Sequence, residues 1–361
     1  MAADDLEDID VATKAPESDA QEQKTADAPT SADEGQKPTM GEHCVSDRPS
    51  PPGSTPQGEI TTLSGIETYI TCPPFYPSQP AKLLLLLSPG TGIHSTNNQL
   101  QADQWATKGY VVLMPDQFNG DPAPKLDTSD LAPDGGEPGA AANPSFIERL
   151  KLGFVETAKS FRIDMWLARH TPATVLPRLV KVVAAAKEMY ADAVAYGGGV
   201  YGAGYCFGGR YILLLLSELP DDVVAGTRDV GAALPSPSEK EGEAGEGFDA
   251  AVKSEEGMVG RGPWIKAGVL AHGTGIGKED FAGLKEGGKL GIVAVREDGL
   301  FTDEVRDYGT GLAKEKGVQV EEKVWEGVPH GFAVVGEYAD QKIKTAQSEA
   351  FDMMTEFLEK S

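Results

Sequence analysis

The chain has 361 residues, 40% of them hydrophobic, and a formal charge of −24. That length fits one large α/β domain with extra segments or two small domains, with ample apolar residues for a core. The acidity argues against nucleic acid or an anionic membrane as partner, because both require basic patches. Three cysteines (Cys44, Cys72 and Cys206) make no disulfide framework for a chain this size. Without a secretory signal, they point to a reducing, cytosolic setting. There is no C-x-x-C pair and no clustered His/Cys set for a structural zinc ion. The longest aliphatic run, Leu83–Leu87, is far too short to span a bilayer.

In chain order, residues 1–42 hold twelve acidic side chains against three lysines among Ala, Ser, Thr, Gln and Pro. Such a segment buries too little to offset its ordering entropy and is expected to be a disordered tail. Residues 43–361 form the folded domain. A Pro-rich connector leads to Gly58–Cys72, where apolar and polar residues alternate around Ser64-Gly65 as in a β-hairpin. Lys82–Leu87 reads as a strand buried on both faces, Asn98–Lys108 as a helix and Tyr110–Pro115 as the next strand, closing a β-α-β unit. Residues 116–144 are a loop rich in Asp, Pro and Gly. Phe146–Leu167 and Val175–Tyr190 have helical spacing, with Pro172 and Pro177 suiting a first turn rather than an interior.

Gly197–Tyr201 is read as the strand before Cys206, and Asp229–Leu234 as another short strand. Residues 236–262 form an acidic Gly/Glu insertion. Further strands are expected at Ala267–Ala271, Leu290–Val295 and Val320–Trp325. Helices are expected at Glu279–Leu284, Asp303–Lys316 and Asp340–Glu359. Alternating buried strands and helices imply a doubly wound, mostly parallel sheet without a large cap domain.

The most informative stretch is Gly204-Tyr205-Cys206-Phe207-Gly208-Gly209. A strand ends, a turn of small residues holds one thiol, and an apolar helix begins. This is the G-x-nucleophile-x-G form of the sharp turn on which α/β-hydrolases hold the attacking side chain. A buried structural cysteine beside packing glycines is the competing reading, and the order of downstream residues separates the two. A thiol nucleophile needs a base and a carboxylate to orient it, in the order nucleophile, acid, histidine. His330 lies in a Gly/Pro loop after the last strand, where the fold puts its base. Arg296-Glu297-Asp298-Gly299 is the acid loop, offering Asp298 first and Glu297 second. Asp303 and Glu304 are better explained as first-turn charges of the next helix. The oxyanion donors are expected to be the Phe207 backbone N–H and the Gly90 N–H, since Pro89 has none to give. Thr91, Tyr205, His272 and Phe332 are candidate pocket residues.

The residues Asn97-Asn98-Gln99-Leu100, Pro115-Asp116-Gln117-Phe118-Asn119-Gly120-Asp121, Tyr205-Cys206-Phe207-Gly208-Gly209, Asp298 and His330-Gly331-Phe332-Ala333 resemble the fungal-type branch of the dienelactone hydrolase family. The resemblance implies a Cys206–His330–Asp298 triad acting on a small ester or lactone through a thioester, with neither metal nor organic cofactor. Two departures stand out. The loop position where the family carries an acidic residue is Ser88-Pro89. The position after the histidine where some members carry an arginine is Val334-Val335, leaving Arg162 or Arg169 as the alternative cation. A thioesterase on the same triad, or a catalytically silent scaffold that binds a ligand or partner, are the alternative functions.

Overall fold

Five consecutive leucines, Leu83–Leu87, show how the core is divided. Side chains alternate across a strand, and here Leu83, Leu85 and Leu87 enter one hydrophobic cluster while Leu84 and Leu86 enter another. A run apolar at every position is therefore required, because both faces of this strand are covered by helices. The computed structural model describes residues 45–124, 161–218 and 262–361. Every described residue belongs to one compact unit, Pro38–Ser361. The expected tail, the strand 229–234, residues 236–261 of the insertion and the first part of the helix from 146 lie outside the described residues.

Among the described residues, eight strands form one sheet: β1 (Glu59–Leu63), β2 (Ile66–Thr71), β3 (Lys82–Leu87), β4 (Tyr110–Pro115), β5 (Val200–Tyr205), β6 (Ala267–Ala271), β7 (Lys289–Val295) and β8 (Gln319–Trp325). Their order is β1-β2-β4-β3-β5-β6-β7-β8. β2 runs antiparallel to β1 and β4, and the remaining pairs are parallel, as in the α/β-hydrolase fold. The β1–β2 hairpin turns on Ser64 (φ 51°) and Gly65 (φ 79°), two consecutive positive-φ residues as a two-residue hairpin loop demands.

Among the described residues, the sheet is flanked by helices α1 (Thr96–Thr107), α2 (Pro172–Met189), α3 (Ala191–Gly197), α4 (Phe207–Leu215), α5 (Asp303–Glu315) and α6 (Gln341–Glu359). Residues 161–169 are also helical. Side chains of α2, α4 and α5 enter the cluster of Leu83, Leu85 and Leu87, while those of α1 and α6 enter the cluster of Leu84 and Leu86. Asp303 and Glu304 occupy the first turn of α5, capped by Thr302, whose hydroxyl accepts from the Val305 N–H. Among the described residues, no helix is long and apolar enough to cross a membrane.

Three element boundaries differ from the sequence-based expectation. The strand placed at 197–201 runs instead from Val200 to Tyr205, because residues 191–197 are helical and Gly198 (φ 66°) and Gly199 (φ 144°) terminate that helix. Pro177 lies inside α2 rather than in its first turn; the helix begins at Pro172. Pro177 forfeits one i→i−4 bond to the carbonyl of Ala173, and its ring is buried in the core. The helix expected at 279–284 is a single 3₁₀ turn, Lys278–Phe281.

β3 pairs with β4 on one side and β5 on the other. The chain thus winds outward in opposite directions from β3. In open α/β sheets this switch point, at the carboxyl ends of the strands, is where ligands bind. Cys206 follows β5 at that edge. Its turn is tight: a Cβ on Gly208 would collide with the Leu87 carbonyl, and one on Gly204 would come within 2.5 Å of the Gly208 carbonyl oxygen. Replacing Gly208 with Ala is expected to lower stability by about 1–3 kcal/mol, the usual cost of overpacking a core. An unchanged denaturant midpoint for that variant would show that the β3–α4 approach is not so constrained.

Candidate active site

Five neighbouring strands in the sheet, β3, β5, β6, β7 and β8, each lead into a loop at the same carboxyl edge. The registers Leu87↔Gly204, Tyr205↔Ala271, Ala271↔Val293 and Val295↔Trp325 align those ends, so residues far apart in sequence meet there. After β5 comes Cys206, with φ 51° and ψ −116°. Positive φ is uncommon for a residue with a side chain. Here the surrounding bonds hold it: the Cys206 N–H donates to the Ala271 carbonyl at 3.0 Å, and the Thr274 and Gly209 N–H groups donate to the Cys206 carbonyl at 3.0 Å each. The side chain stands at the head of α4, where the helix dipole favours an anion.

The Cys206 Sγ lies 3.2 Å from the Thr274 hydroxyl, and that hydroxyl lies 3.2 Å from His330 Nε2. On the other side of the ring, His330 Nδ1 is 2.7 Å from Asp298 Oδ2. The second Asp298 oxygen accepts the Leu300 N–H at 2.9 Å, so the carboxylate is held at both ends. With Nδ1–H donated to a carboxylate, Nε2 is the atom turned toward Thr274 and Cys206. Burial by itself would lower the His330 pKa. Hydrogen bonds to Asp298 and to the Cys206 sulfur, together with their charges, outweigh it and raise the value to about 9. An imidazole so disposed is readily protonated beside a sulfur, which is the electrostatic condition for a thiolate.

Of the two acids considered for this loop, Asp298 is the one against His330. Glu297 is exposed and itself adopts positive φ (58°). Gly90 occupies the turn after β3, where its carbonyl accepts from the Ala123 N–H at 2.8 Å. Phe207 is the first residue of α4, a position whose N–H has no partner within the helix.

The four candidate pocket residues have different surroundings. The Thr91 hydroxyl accepts from Asn98 Nδ2 at 2.9 Å, and the same amide donates to the Gly92 carbonyl at 2.7 Å, so Asn98 of α1 pins the loop after β3. Tyr205 is a core residue whose hydroxyl accepts from Trp105 Nε1 at 3.2 Å. Phe332 is fully buried and packs on Trp325.

His272 is buried after β6 with φ 38°, its ring centroid 5.0 Å from that of His330. Neither of its nitrogens has a hydrogen-bond partner among the described residues. Burial, and then the neighbouring His330, hold its pKa well below the ordinary histidine range, so the ring is neutral.

At the departure Ser88-Pro89, Ser88 is buried and its carbonyl accepts from Gln117 Nε2 at 2.7 Å. Arg169 is bound to Asp121, its Nε 2.9 Å from Oδ2, and Arg162 is exposed. The sequence reading missed Thr274. The available signal was a hydroxyl residue two positions after His272, in a loop already assigned to the ligand-binding edge.

A model described as "Dienelactone hydrolase family" matches residues 66–242, a stretch that contains the Cys206 turn and stops short of Asp298 and His330. Hydrolase pyvD of Aspergillus violaceofuscus is 26% identical over 295 residues, covering 82% of this chain and 86% of that protein. Hydrolase tropI of Talaromyces stipitatus is 25% identical over 302 residues, covering 84% and 89%. Among solved structures, a Klebsiella pneumoniae protein assigned as a dienelactone hydrolase superposes with a TM-score of 0.52 at 12% identity, covering 84% of this chain and 99% of its own. An esterase from Thermogutta terrifontis gives 0.50 at 13%, covering 84% and 96%. These two structures speak for the fold. The family match covers just under half of the chain, and with the two fungal hydrolases it makes the chain an ester-bond hydrolase similar to the dienelactone hydrolase family.

Proposed function

We propose that the protein cleaves a small carboxylic ester or lactone by covalent catalysis, with Cys206 as nucleophile, His330 as general base and acid, and Asp298 as the group that orients His330. The observation that carries this reading is the 2.7 Å contact between Asp298 Oδ2 and His330 Nδ1. It turns Nε2 toward the sulfur side of the site, where the Thr274 hydroxyl lies 3.2 Å from both Nε2 and Sγ.

The reaction begins with the Cys206 thiolate attacking the ester carbonyl carbon. The Phe207 and Gly90 backbone N–H groups stabilise the oxyanion that forms. Collapse of the tetrahedral species breaks the carbon–oxygen bond, and His330 gives its Nε2 proton to the departing alkoxide. The now neutral imidazole takes a proton from water, and the resulting hydroxide attacks the thioester. Acid is released and the thiolate–imidazolium pair returns. This chemistry needs reduced sulfur, in keeping with a cytosolic setting. The residues that follow His330 are apolar and largely buried, including Phe332, Ala333 and Val335, so the position of the Val334-Val335 pair supplies no cation for a substrate carboxylate. An uncharged small ester therefore suits the site better than an acidic dienelactone.

Replacing Cys206 with Ala is expected to reduce turnover of a small aryl ester by roughly 10⁴-fold or more, with the circular dichroism spectrum retained. Assay of lactones, aryl esters and acyl thioesters against both proteins gives the substrate class. Substantial residual activity in the variant would remove Cys206 from the mechanism.

The pH behaviour follows from His330. Its pKa of about 9 keeps the ring cationic at neutral pH, and that charge favours the thiolate. Asp298→Asn removes the carboxylate, so the His330 pKa falls, the imidazolium is lost at lower pH and the thiol pKa rises. Alkylation of Cys206 at pH 6 is therefore expected to slow in Asp298→Asn, with kcat falling by roughly 10²–10⁴-fold. An alkylation profile identical to that of wild type would separate Asp298 from the titration of the site.

A further inference from the structure

Thr274 is the residue of the site for which the mechanism above has no use. It is 4% exposed. Its backbone N–H is bonded to the Cys206 carbonyl at 3.0 Å, so the turn is held whatever the side chain does. Its hydroxyl stands 3.2 Å from Cys206 Sγ and 3.2 Å from His330 Nε2. A hydroxyl has one proton to donate and lone pairs to accept with, and so can donate to either neighbour while accepting from the other.

The groups around the pair have other engagements. Asp298 occupies the Nδ1 side of His330, and His272 meets the ring edge-on as a neutral imidazole. Arg48 donates to the Gly331 carbonyl at 3.4 Å and lies over the Tyr338 ring. On α4, Arg210 is bound to Asp280 at 2.9 Å, and the Tyr205 hydroxyl is turned to Trp105.

Building on the assignment of Cys206, His330 and Asp298, we propose that the Thr274 hydroxyl is a further catalytic group, which donates a hydrogen bond to the Cys206 thiolate and accepts one from His330 Nε2–H. His330 also bonds the Cys206 sulfur directly, so the thiol proton needs no carrier: the S–H bond breaks, its proton bonds to the Nε2 lone pair, and sulfur keeps its electron pair. In the resulting thiolate–imidazolium pair the Thr274 hydroxyl adds a second donor to sulfur and stabilises the anion.

The test compares Thr274→Val, which has nearly the same shape without the hydroxyl, with Thr274→Ser, which restores it. Both are made in a background with Cys44 and Cys72 replaced by Ser, so that Cys206 alone reports. The measurements are the iodoacetamide alkylation rate from pH 5 to 10, kcat and KM on an aryl ester, and Tm. The parent is expected to alkylate readily at pH 6. In Thr274→Val the apparent thiol pKa should rise by about one unit, which slows alkylation at pH 6 about tenfold, and kcat should fall with KM and Tm little changed. Thr274→Ser should return both toward the parent. An unshifted pH profile and kcat in Thr274→Val overturns this role, as does an equal loss in both variants accompanied by a lowered Tm. A parent whose thiol titrates like a free cysteine, near 8.5, instead refutes the underlying triad, a result recognisable before either variant is made.

Discussion

The hydrogen bond between Asp298 and His330 is the interaction on which the rest of the site depends. It joins the loop after β7 to the loop after β8, and it decides which ring nitrogen faces the sulfur. Without a carboxylate at Nδ1, burial of the ring would favour its neutral form, and the ring would lose its shortest hydrogen bond. Asp298 can perform this task because its other oxygen is anchored to the Leu300 N–H. A short acidic side chain that bonds its own turn is a common device for fixing a loop. Here the same device aims the free oxygen across the sheet edge.

Around that bond, the architecture turns sequence distance into proximity. Cys206, Thr274, Asp298 and His330 follow β5, β6, β7 and β8, four strands adjacent in space and parallel in direction. Each residue is one loop beyond a strand: β5, β6 and β7 have their register fixed by buried side chains on both faces, and β8 is paired to β7 along its whole length. A register slip of one residue would send every such side chain to the wrong face, so the positions of the loops are as well determined as the core itself. The site is thus assembled by the sheet.

Much of this was readable in the amino-acid sequence, for identifiable reasons. The glycines at 204 and 208 mark the Cys206 turn because no Cβ fits against the neighbouring backbone there. The unbroken run of leucines marks a strand covered on both faces. The choice of Asp298 over Glu297 rested on Gly299 and on side-chain length, and it is Asp298 that bonds His330. What could not be read was set by tertiary contacts. Pro177 sits inside a helix because burial of its ring compensates for a lost backbone bond. The side chains of Tyr205 and Phe332 are packed in the core, and Tyr205 also lines a small cavity with Ser88, Pro89 and Val334. Thr274 has no local pattern at all. The role proposed for it depends on two side chains 68 and 56 residues away in the chain.

β8 is the outermost strand on its side of the sheet. It carries polar and charged residues along most of its length, a usual guard against edge-to-edge association, and it is tethered by Arg306 to Glu322 and by Lys323 to Glu349. His330 hangs from this rim, whereas Cys206 rises from the middle of the sheet. Marginal strands open more readily than central ones. Fraying at the rim would carry the imidazole away while the sulfur stayed in place, so on the mechanism proposed above activity would lapse under mild heat or denaturant before the fold as a whole gave way.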